Sequence, residues 1–267
     1  MDEIGFENTE KIKKIPSEAD RWKFIYEVAK AYGFEGIHLT PSLYLKDFEL
    51  DIANMPAYFQ DFKLTLHVGG IYKSASASDY EAFDASLSTY FGLALRNNMH
   101  DISLHPPGNG TTDEEKDTLL SLLCKTVDKW LPIATQNGIS LSLETHVFGE
   151  CFLFNGLSEF LAFTERYPNL GILVDVSHNY YNPQYSEEDM IKLLSGKNVK
   201  GLHISDALRN ATFESGTHLA IGDGEMDFAK LLKGFSKIPD LYAALEIKAS
   251  HDGIAKSLRI LQDMRNA

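Results

Sequence analysis

Six strand-like segments of this chain each end on a residue type that binds metal ions. These residues are His67, His105, Glu144, Asp175, His203 and Glu246. In these segments the ligand-type residue shares its parity with small or polar residues, except for Leu173 before Asp175, and the opposite parity is aliphatic. Ser142 precedes Glu144 on one face, for example, whereas Leu141 and Leu143 occupy the other. Because successive side chains on a strand point to opposite faces, this pattern predicts that all six point to one side.

Four of these residues lie on consecutive predicted strands at equivalent depth, namely Glu144, Asp175, His203 and Glu246. A single histidine or acid at a strand end is more often a hydrogen-bonding or ion-pairing residue, so the inference depends on the four together. Buried carboxylates without partners are costly, and a shared cation removes that cost. The set therefore predicts a divalent metal site, with zinc or manganese favoured and magnesium or cobalt as alternatives.

The segments that must position these residues alternate between strand and helix patterns from end to end. Strands are predicted at 3–6, 36–40, 63–68, 101–105, 140–145, 171–176, 199–205 and 242–248. Helices are predicted at 17–32, 51–60, 78–97, 112–136, 157–166, 187–195, 226–235 and 253–265. Eight such units are typical of an α/β protein with a (β/α)8 TIM barrel. Function in such barrels lies at the carboxyl ends of the strands, where all six ligand-type residues fall.

Length, composition and charge agree with a single barrel domain over residues 1–267. The chain has 267 residues, and such barrels need about 250. An apolar run long enough to span a membrane is missing, as is the apolar core of a signal peptide. With only two cysteines, a reducing cytoplasm is the expected compartment. The net charge of −13 disfavours a surface adapted to nucleic acid.

Several motifs carry a resemblance to a known group of barrels. They are LETH at 143–146, VDVSH at 174–178, LHISD at 202–206, THLAIGDGEMDF at 217–228 and ALEIK at 244–248. On these motifs the chain resembles the xylose isomerase-like barrel superfamily, which includes endonuclease IV and the related sugar isomerases and epimerases. The resemblance covers nearly the whole chain and implies two main enzymatic alternatives, with other lyase-type chemistry or a barrel that binds without catalysis also left open.

In the isomerase or epimerase alternative, the resemblance implies one divalent ion held by the four residues named above. The ion binds two substrate oxygens beside a carbonyl and lowers the pKa of the C–H bond between them, while Glu144 and Glu246 act as base and acid. His178 and Arg209 then hold substrate hydroxyls or a phosphate. The substrate is expected to be a small sugar, a sugar phosphate or a hydroxy-ketone.

In the endonuclease IV-like alternative, the resemblance implies three zinc ions that activate water for cleavage of DNA at abasic sites. One ion is held by His67, His105 and Glu144, the second by the four-residue set, and the third by His178, His218 and an aspartate two residues before the latter. Gly216 stands at that aspartate position. Two imidazoles alone make a weak zinc site, so we predict no third ion there at full occupancy. The isomerase or epimerase alternative is therefore favoured, with a sugar-like small molecule rather than nucleic acid as the partner.

Four further residues are predicted to contact substrate, namely His38, Asp206, Arg209 and Lys248. Lys248 has the parity of Glu246, and a salt bridge is its competing interpretation. His146 is interpreted as a loop residue or a support for the site. The histidines at 67, 105, 178 and 218 are expected to border one cavity with the metal site. The sequence leaves a homo-oligomer open.

Overall fold

The described residues form seven parallel strands in one sheet whose spatial order follows the chain. A computed structural model describes residues 14–40, 52–69, 76–108, 112–181, 185–248 and 251–266. The strands are β1 Gly36–Leu39, β2 Lys63–Val68, β3 Asp101–Leu104, β4 Ser140–Glu144, β5 Gly171–Asp175, β6 Val199–Ile204 and β7 Tyr242–Leu245. With the helices between them they form a nearly closed α/β TIM barrel, which confirms the predicted fold class. The predicted strand at 3–6 lies outside the described residues.

Helices follow the strands as the sequence predicts, with two short additions. They are α1 Glu18–Ala31, α2 Ala77–Arg96, α3 Asp113–Gln136, α4 Leu157–Thr164, α5 Val176–Tyr181, α6 Glu187–Leu194, α7 Phe213–Gly216, α8 Phe228–Phe235 and α9 His251–Asn266. The short helix predicted at 51–60 is instead two 3-10 turns, Ile52–Asn54 and Ala57–Asp61. The additions, α5 and α7, were not predicted, because one or two turns are too short to show a helical period. None of the helices in the described ranges is long and apolar enough to cross a membrane.

The helix ends have local signals that fix where each strand begins and ends. Thr112 and Glu115 form a capping box at the start of α3, each side chain bonding the other's backbone N–H. This satisfies two of the amide groups that the first turn leaves free. After α3, Gly138 adopts a φ of 70°, which glycine tolerates without steric cost. The chain thereby turns directly into β4 and places Glu144 at the end of that strand.

The hydrophobic core lies between the strands and the helices. The aliphatic parity of each strand, such as Leu141 and Leu143 of β4, belongs to one buried cluster that also contains helical residues such as Trp22 of α1. Leu173 and Ala244 are buried as well but lie outside this cluster. They share parity with the ligand-type residues, so they face the barrel interior. The predicted division of the two strand faces is confirmed.

The barrel interior below the site is polar. Asp101 is buried, and its carboxylate accepts hydrogen bonds from Ser142 Oγ at 2.7 Å and from the Tyr242 hydroxyl at 2.9 Å. The Tyr242 ring fills the space beside Gly201, where a Cβ atom would overlap the ring. Glycine at 201, which pairs with Tyr242 in the β6–β7 register, therefore leaves the space that the tyrosine ring occupies.

Asp101 should make the stability of the protein depend on pH. Burial raises its pKa from the ordinary 3.8 to about 6, although Ser142 and Tyr242 oppose the shift. The folded state therefore favours the protonated acid, and stability falls as pH rises towards and through 6. We expect Asp101→Asn to gain about 3 kcal/mol relative to the wild type between pH 3 and pH 7.5. Denaturant unfolding at the two pH values measures this.

The matched control is Asp117→Asn, since Asp117 is exposed on α3. Its stability relative to the wild type should stay constant across the same pH range. If Asp101→Asn shows the same constant difference, the carboxyl group of Asp101 does not titrate abnormally in the folded protein.

Candidate metal centre

Consecutive strands bring four ligand-type side chains to the carboxyl edge of the barrel. Glu144 and Asp175 end β4 and β5, His203 lies near the end of β6, and Glu246 directly follows β7. One oxygen or nitrogen atom from each lies within 4.8 Å of the corresponding atoms of the other three. His203 Nδ1 lies 2.7 Å from Glu246 Oε2, 3.5 Å from Glu144 Oε1 and 3.9 Å from Asp175 Oδ2.

The atoms that converge here lack hydrogen-bond partners. Asp175 Oδ2, His203 Nδ1 and Glu246 Oε2 are buried and make no hydrogen bond of acceptable geometry, and the same is true of Glu144 Oε2, which faces the neighbouring histidines His67 and His105. His203 Nδ1 and Glu246 Oε2 lie close together, but the angles at the two atoms do not allow a hydrogen bond. Buried polar atoms are normally paired. Three oxygens and one imidazole nitrogen directed at a common point suit zinc or manganese, so these residues fit a divalent cation.

Asp175 is oriented by its own strand-to-helix turn. Its Oδ1 accepts hydrogen bonds from Ser177 Oγ at 2.9 Å and from the backbone N–H of His178 at 2.8 Å. Its backbone N–H donates to Thr145 Oγ1. Because one carboxylate oxygen is held by the start of α5, the other is fixed towards the cluster.

Crowding of charge shifts the pKa values of the cluster. Burial, together with the carboxylates of Glu246 and Glu144, raises the pKa of Asp175 to about 7 against the opposing effect of His218. Burial lowers the pKa of His203, but Glu246 and Glu144 outweigh it and raise that pKa well above its usual value. Without a cation, protons on Asp175 and His203 therefore reduce the repulsion between the carboxylates of the cluster.

Two histidines extend the cluster on the β2 and β3 side. His67 Nε2 and His105 Nε2 lie 3.3 Å and 2.8 Å from Glu144 Oε2, and 2.9 Å from each other. Ser103 Oγ lies 3.0 Å from the other ring nitrogen of His67. Glu144 thus directs Oε1 towards His203 and Oε2 towards His67 and His105. The structure therefore brings together His67, His105 and Glu144, the three ligands that a second ion would need.

A second histidine pair lies on the opposite side of the cluster. His178 Nε2 lies 3.0 Å from His218 Nε2, and the carboxylate grouped with them is that of Asp175. His218 adopts a φ of 56°, a left-handed conformation rare for non-glycine residues and typical of functional sites. At Gly216, a Cβ atom would lie 2.8 Å from Leu208 O and 2.9 Å from the Ala211 Cβ. The backbone is therefore packed without room for a side chain at the position where the nuclease pattern has aspartate.

His146 lies within the ring of histidines, although the sequence suggested only a loop or supporting residue. Its ring centroid is 4.6 Å from that of His105 and 5.1 Å from that of His178. Burial lowers the pKa of His146 to about 4, with His105 adding to the effect. Two residues beyond Glu144, it has the ligand parity, which was the available signal.

The four residues predicted to contact substrate lie in different surroundings. Buried His38 lies beneath His203. The carboxylate of Asp206 accepts backbone hydrogen bonds from Ala207, Gly222 and Met226. Arg209 lies 4.0 Å above the ring of Tyr180 and donates to Tyr185 O. Lys248 is exposed, and its backbone N–H donates to His218 O.

Comparison with known protein families identifies the barrel. A family described as "xylose isomerase-like TIM barrel" matches residues 26–264. The chain belongs to this family. No curated protein matches it.

Several solved structures have the same fold. A D-tagatose 3-epimerase-like protein is 19% identical with a TM-score of 0.70, covering 87% of this chain and 89% of its own. The IolI protein with a bound zinc atom is 16% identical with a TM-score of 0.72, covering 91% and 92%. D-psicose 3-epimerase from Clostridium cellulolyticum H10, solved with D-tagatose, is 14% identical with a TM-score of 0.71, covering 92% and 93%.

Metal affinity should fall as the pH falls below 7. A cation must displace the proton that Asp175 holds at low pH, since its pKa is about 7, and the proton that His203 holds. Below pH 7 the apparent association constant for Zn²⁺ should therefore fall by at least about tenfold per pH unit. Titration calorimetry in two buffers of different ionisation enthalpy measures both the affinity and the protons released. Affinity that does not change between pH 5.5 and 7 would exclude these residues as the ligands.

Proposed function

We propose that this protein is a divalent-metal-dependent isomerase or epimerase of a small sugar, sugar phosphate or hydroxy-ketone. The observation that carries the proposal is the cluster of Glu144, Asp175, His203 and Glu246, whose unpartnered atoms converge at the mouth of the barrel. Two of its members are glutamates from strands that are not neighbours, β4 and β7. A proton can therefore be removed on one side of a bound substrate and returned on the other.

The metal site and the two glutamates have separate roles in the proposed proton transfer. A bound divalent ion would polarise the substrate carbonyl and an adjacent hydroxyl, which lowers the pKa of the C–H bond beside the carbonyl. One glutamate takes that proton and the other returns a proton to the carbon. Glu144 and Glu246 suit this exchange because the imidazoles of their neighbours hold their pKa values well below the usual range despite burial. Either glutamate, being ionised, can accept the proton from the carbon, and the one that returns a proton must first take it up from water.

The histidines around the cluster suit a substrate rich in hydroxyl groups. His105, His146 and His178 form one side of the mouth, with ring centroids of 4.6 Å and 5.1 Å between neighbours. A neutral imidazole donates a hydrogen bond from one nitrogen and accepts one at the other, so it can pair with hydroxyl groups, which both donate and accept. Phe213 lies 5.3 Å from the His178 ring and offers an apolar face for the carbon skeleton.

The comparisons agree with this proposal. The similar solved structures include an epimerase described with D-tagatose and IolI described with a zinc atom. A zinc ion suits the carboxylates and imidazole of the cluster, and a sugar suits the histidines around it. At 14% and 16% identity, the likeness itself concerns the fold, so the proposal depends on this chain's own residues.

A zinc-dependent endonuclease acting on abasic DNA is the second candidate. The observation in its favour is the second cluster, in which His67 and His105 both approach Glu144 Oε2. Against it stands Gly216, where the surrounding backbone leaves no room for the missing aspartate. The net charge of −13 also disfavours a DNA-binding surface.

Removal of either glutamate should abolish proton exchange. We expect Glu144→Gln and Glu246→Gln each to reduce deuterium incorporation beside the carbonyl by at least about 100-fold, because general acid–base catalysis contributes that much. The measurement uses NMR of ketoses, ketose phosphates and hydroxy-ketones after incubation in D2O at saturating Mn²⁺, with the paramagnetic ion removed by a chelator before the spectra are recorded. Metal content is determined in each sample, since both changes also remove a ligand atom.

Glu150→Gln is the matched control, because Glu150 is exposed in the segment after β4. It should exchange at the wild-type rate. Exchange retained in both cluster variants would exclude the two-glutamate mechanism, whatever the substrate.

Metal count and DNA cleavage separate the two candidates. We expect the Zn²⁺-loaded protein to leave a duplex with one abasic site intact, and mass spectrometry to find no ion between His178 and His218 at full occupancy. Those two imidazoles have no carboxylate of their own as a third ligand, since Asp175 also belongs to the central cluster. Efficient metal-dependent incision together with three ions per chain would favour the nuclease.

A further inference from the structure

His38 is buried directly beneath the metal cluster, on a strand that contributes no ligand to it. Its Nε2 lies 3.0 Å from Nε2 of His203, and its Nδ1 lies 2.5 Å from Thr65 Oγ1. His203 has its other nitrogen, Nδ1, among the convergent atoms of the cluster. Thr65, His38 and His203 thus form a line that runs from the barrel interior to the cluster.

The positions of the protons along this line follow from the cluster. A nitrogen that binds a cation carries no proton, so a neutral His203 bound through Nδ1 has its proton on Nε2. That N–H can donate only to an unprotonated Nε2 of His38. His38 then has its own proton on Nδ1 and donates it to Thr65 Oγ1. Each group has one role, and the roles cannot be exchanged without losing a hydrogen bond.

We propose that His38 is a positioning residue that fixes the ring and tautomer of the metal ligand His203 through a chain of hydrogen bonds ending at Thr65. The inference rests on the proposed metal centre and deepens it. Metal-bound histidines usually donate their second N–H to a carboxylate, a backbone carbonyl or water. In this chain the acceptor is a second imidazole.

A neutral acceptor suits this cluster because the centre already contains three carboxylates, those of Glu144, Asp175 and Glu246. A fourth carboxylate behind His203 would add negative charge next to the cation and weaken its attraction for substrate oxygens. An imidazole fixes the ring without that charge. Close packing supports the arrangement, since the His38 ring lies 5.0 Å from that of His203 and 5.3 Å from that of His67.

The test compares Zn²⁺ affinity by chelator competition in the wild type, His38→Ala, His38→Gln and Thr65→Val. We expect His38→Ala to weaken Zn²⁺ binding by about 10- to 100-fold, as loss of such supporting contacts does. His38→Gln should recover most of the loss, because its amide oxygen can occupy the position of Nε2 and accept the hydrogen bond. Thr65→Val should cause a smaller loss in the same direction. His100→Ala is the control, since His100 is exposed.

A second measurement reports the hydrogen bond itself. In Zn²⁺-loaded, ¹⁵N-histidine-labelled protein, NMR should show His203 with Nδ1 bound to metal and a slowly exchanging proton on Nε2. In His38→Ala that proton should exchange faster even when the metal site is saturated. A general loss of packing would not change the tautomer selectively, and circular dichroism checks that each variant folds.

The outcomes separate this inference from the metal centre on which it rests. A wild-type protein that binds no Zn²⁺ overturns the centre. If His38→Ala and Thr65→Val bind Zn²⁺ as tightly as the wild type, and the His203 Nε2 proton exchanges at the same rate in His38→Ala, only the role of His38 is overturned. Loss of one whole ion in His38→Ala would also overturn it, since His38, His67 and His203 would then be ligands of a separate site.

Discussion

The proximity of three buried carboxylates at the mouth of the barrel is the constraint on which the rest of the site depends. Glu144, Asp175 and Glu246 each have a buried oxygen without a hydrogen-bond partner, and the three carboxylates lie close together. Ionised carboxylates in such surroundings repel one another and lack solvation. Protons on Asp175 and His203 relieve this only in part, as their raised pKa values show. A divalent cation satisfies all three carboxylates at once, so the same feature that costs stability creates affinity for metal.

The surroundings hold two of the ligands, Asp175 and His203, by an atom that does not face the cluster. Asp175 uses one oxygen to accept the hydrogen bonds that begin α5, which leaves the other fixed. His203 has its second nitrogen beside His38. Asp206 accepts backbone hydrogen bonds from Ala207 and from Gly222 and Met226 in the loop that follows His218. Orientation therefore comes from secondary structure and from the polar barrel interior, and it does not require the ion to be present.

The ring of histidines around the cluster suits more than one chemistry, and a backbone position distinguishes between them. His67 and His105 share Glu144 with the central cluster, as an enzyme with several ions would require. On the other side, His178 and His218 lack a carboxylate of their own, because Gly216 is packed against Leu208 and Ala211. A barrel of this family can thus keep the imidazoles as hydrogen-bonding groups for a polyol while losing the complete set of zinc ligands.

The sequence alone determined the barrel, the faces of its strands and the convergence of Glu144, Asp175, His203 and Glu246. These follow from alternation along each strand and from the common edge of parallel strands, both of which are local rules. Only the tertiary structure decided which atoms lie behind the ligands. His38 and His203 are 165 positions apart, and no periodicity predicts that their rings meet. The crowding at Gly216, the place of His146 in the mouth and the short helices α5 and α7 likewise depend on how the loops pack over the strand ends. Loop packing is set by contacts between distant segments, so sequence patterns along the chain do not reveal it.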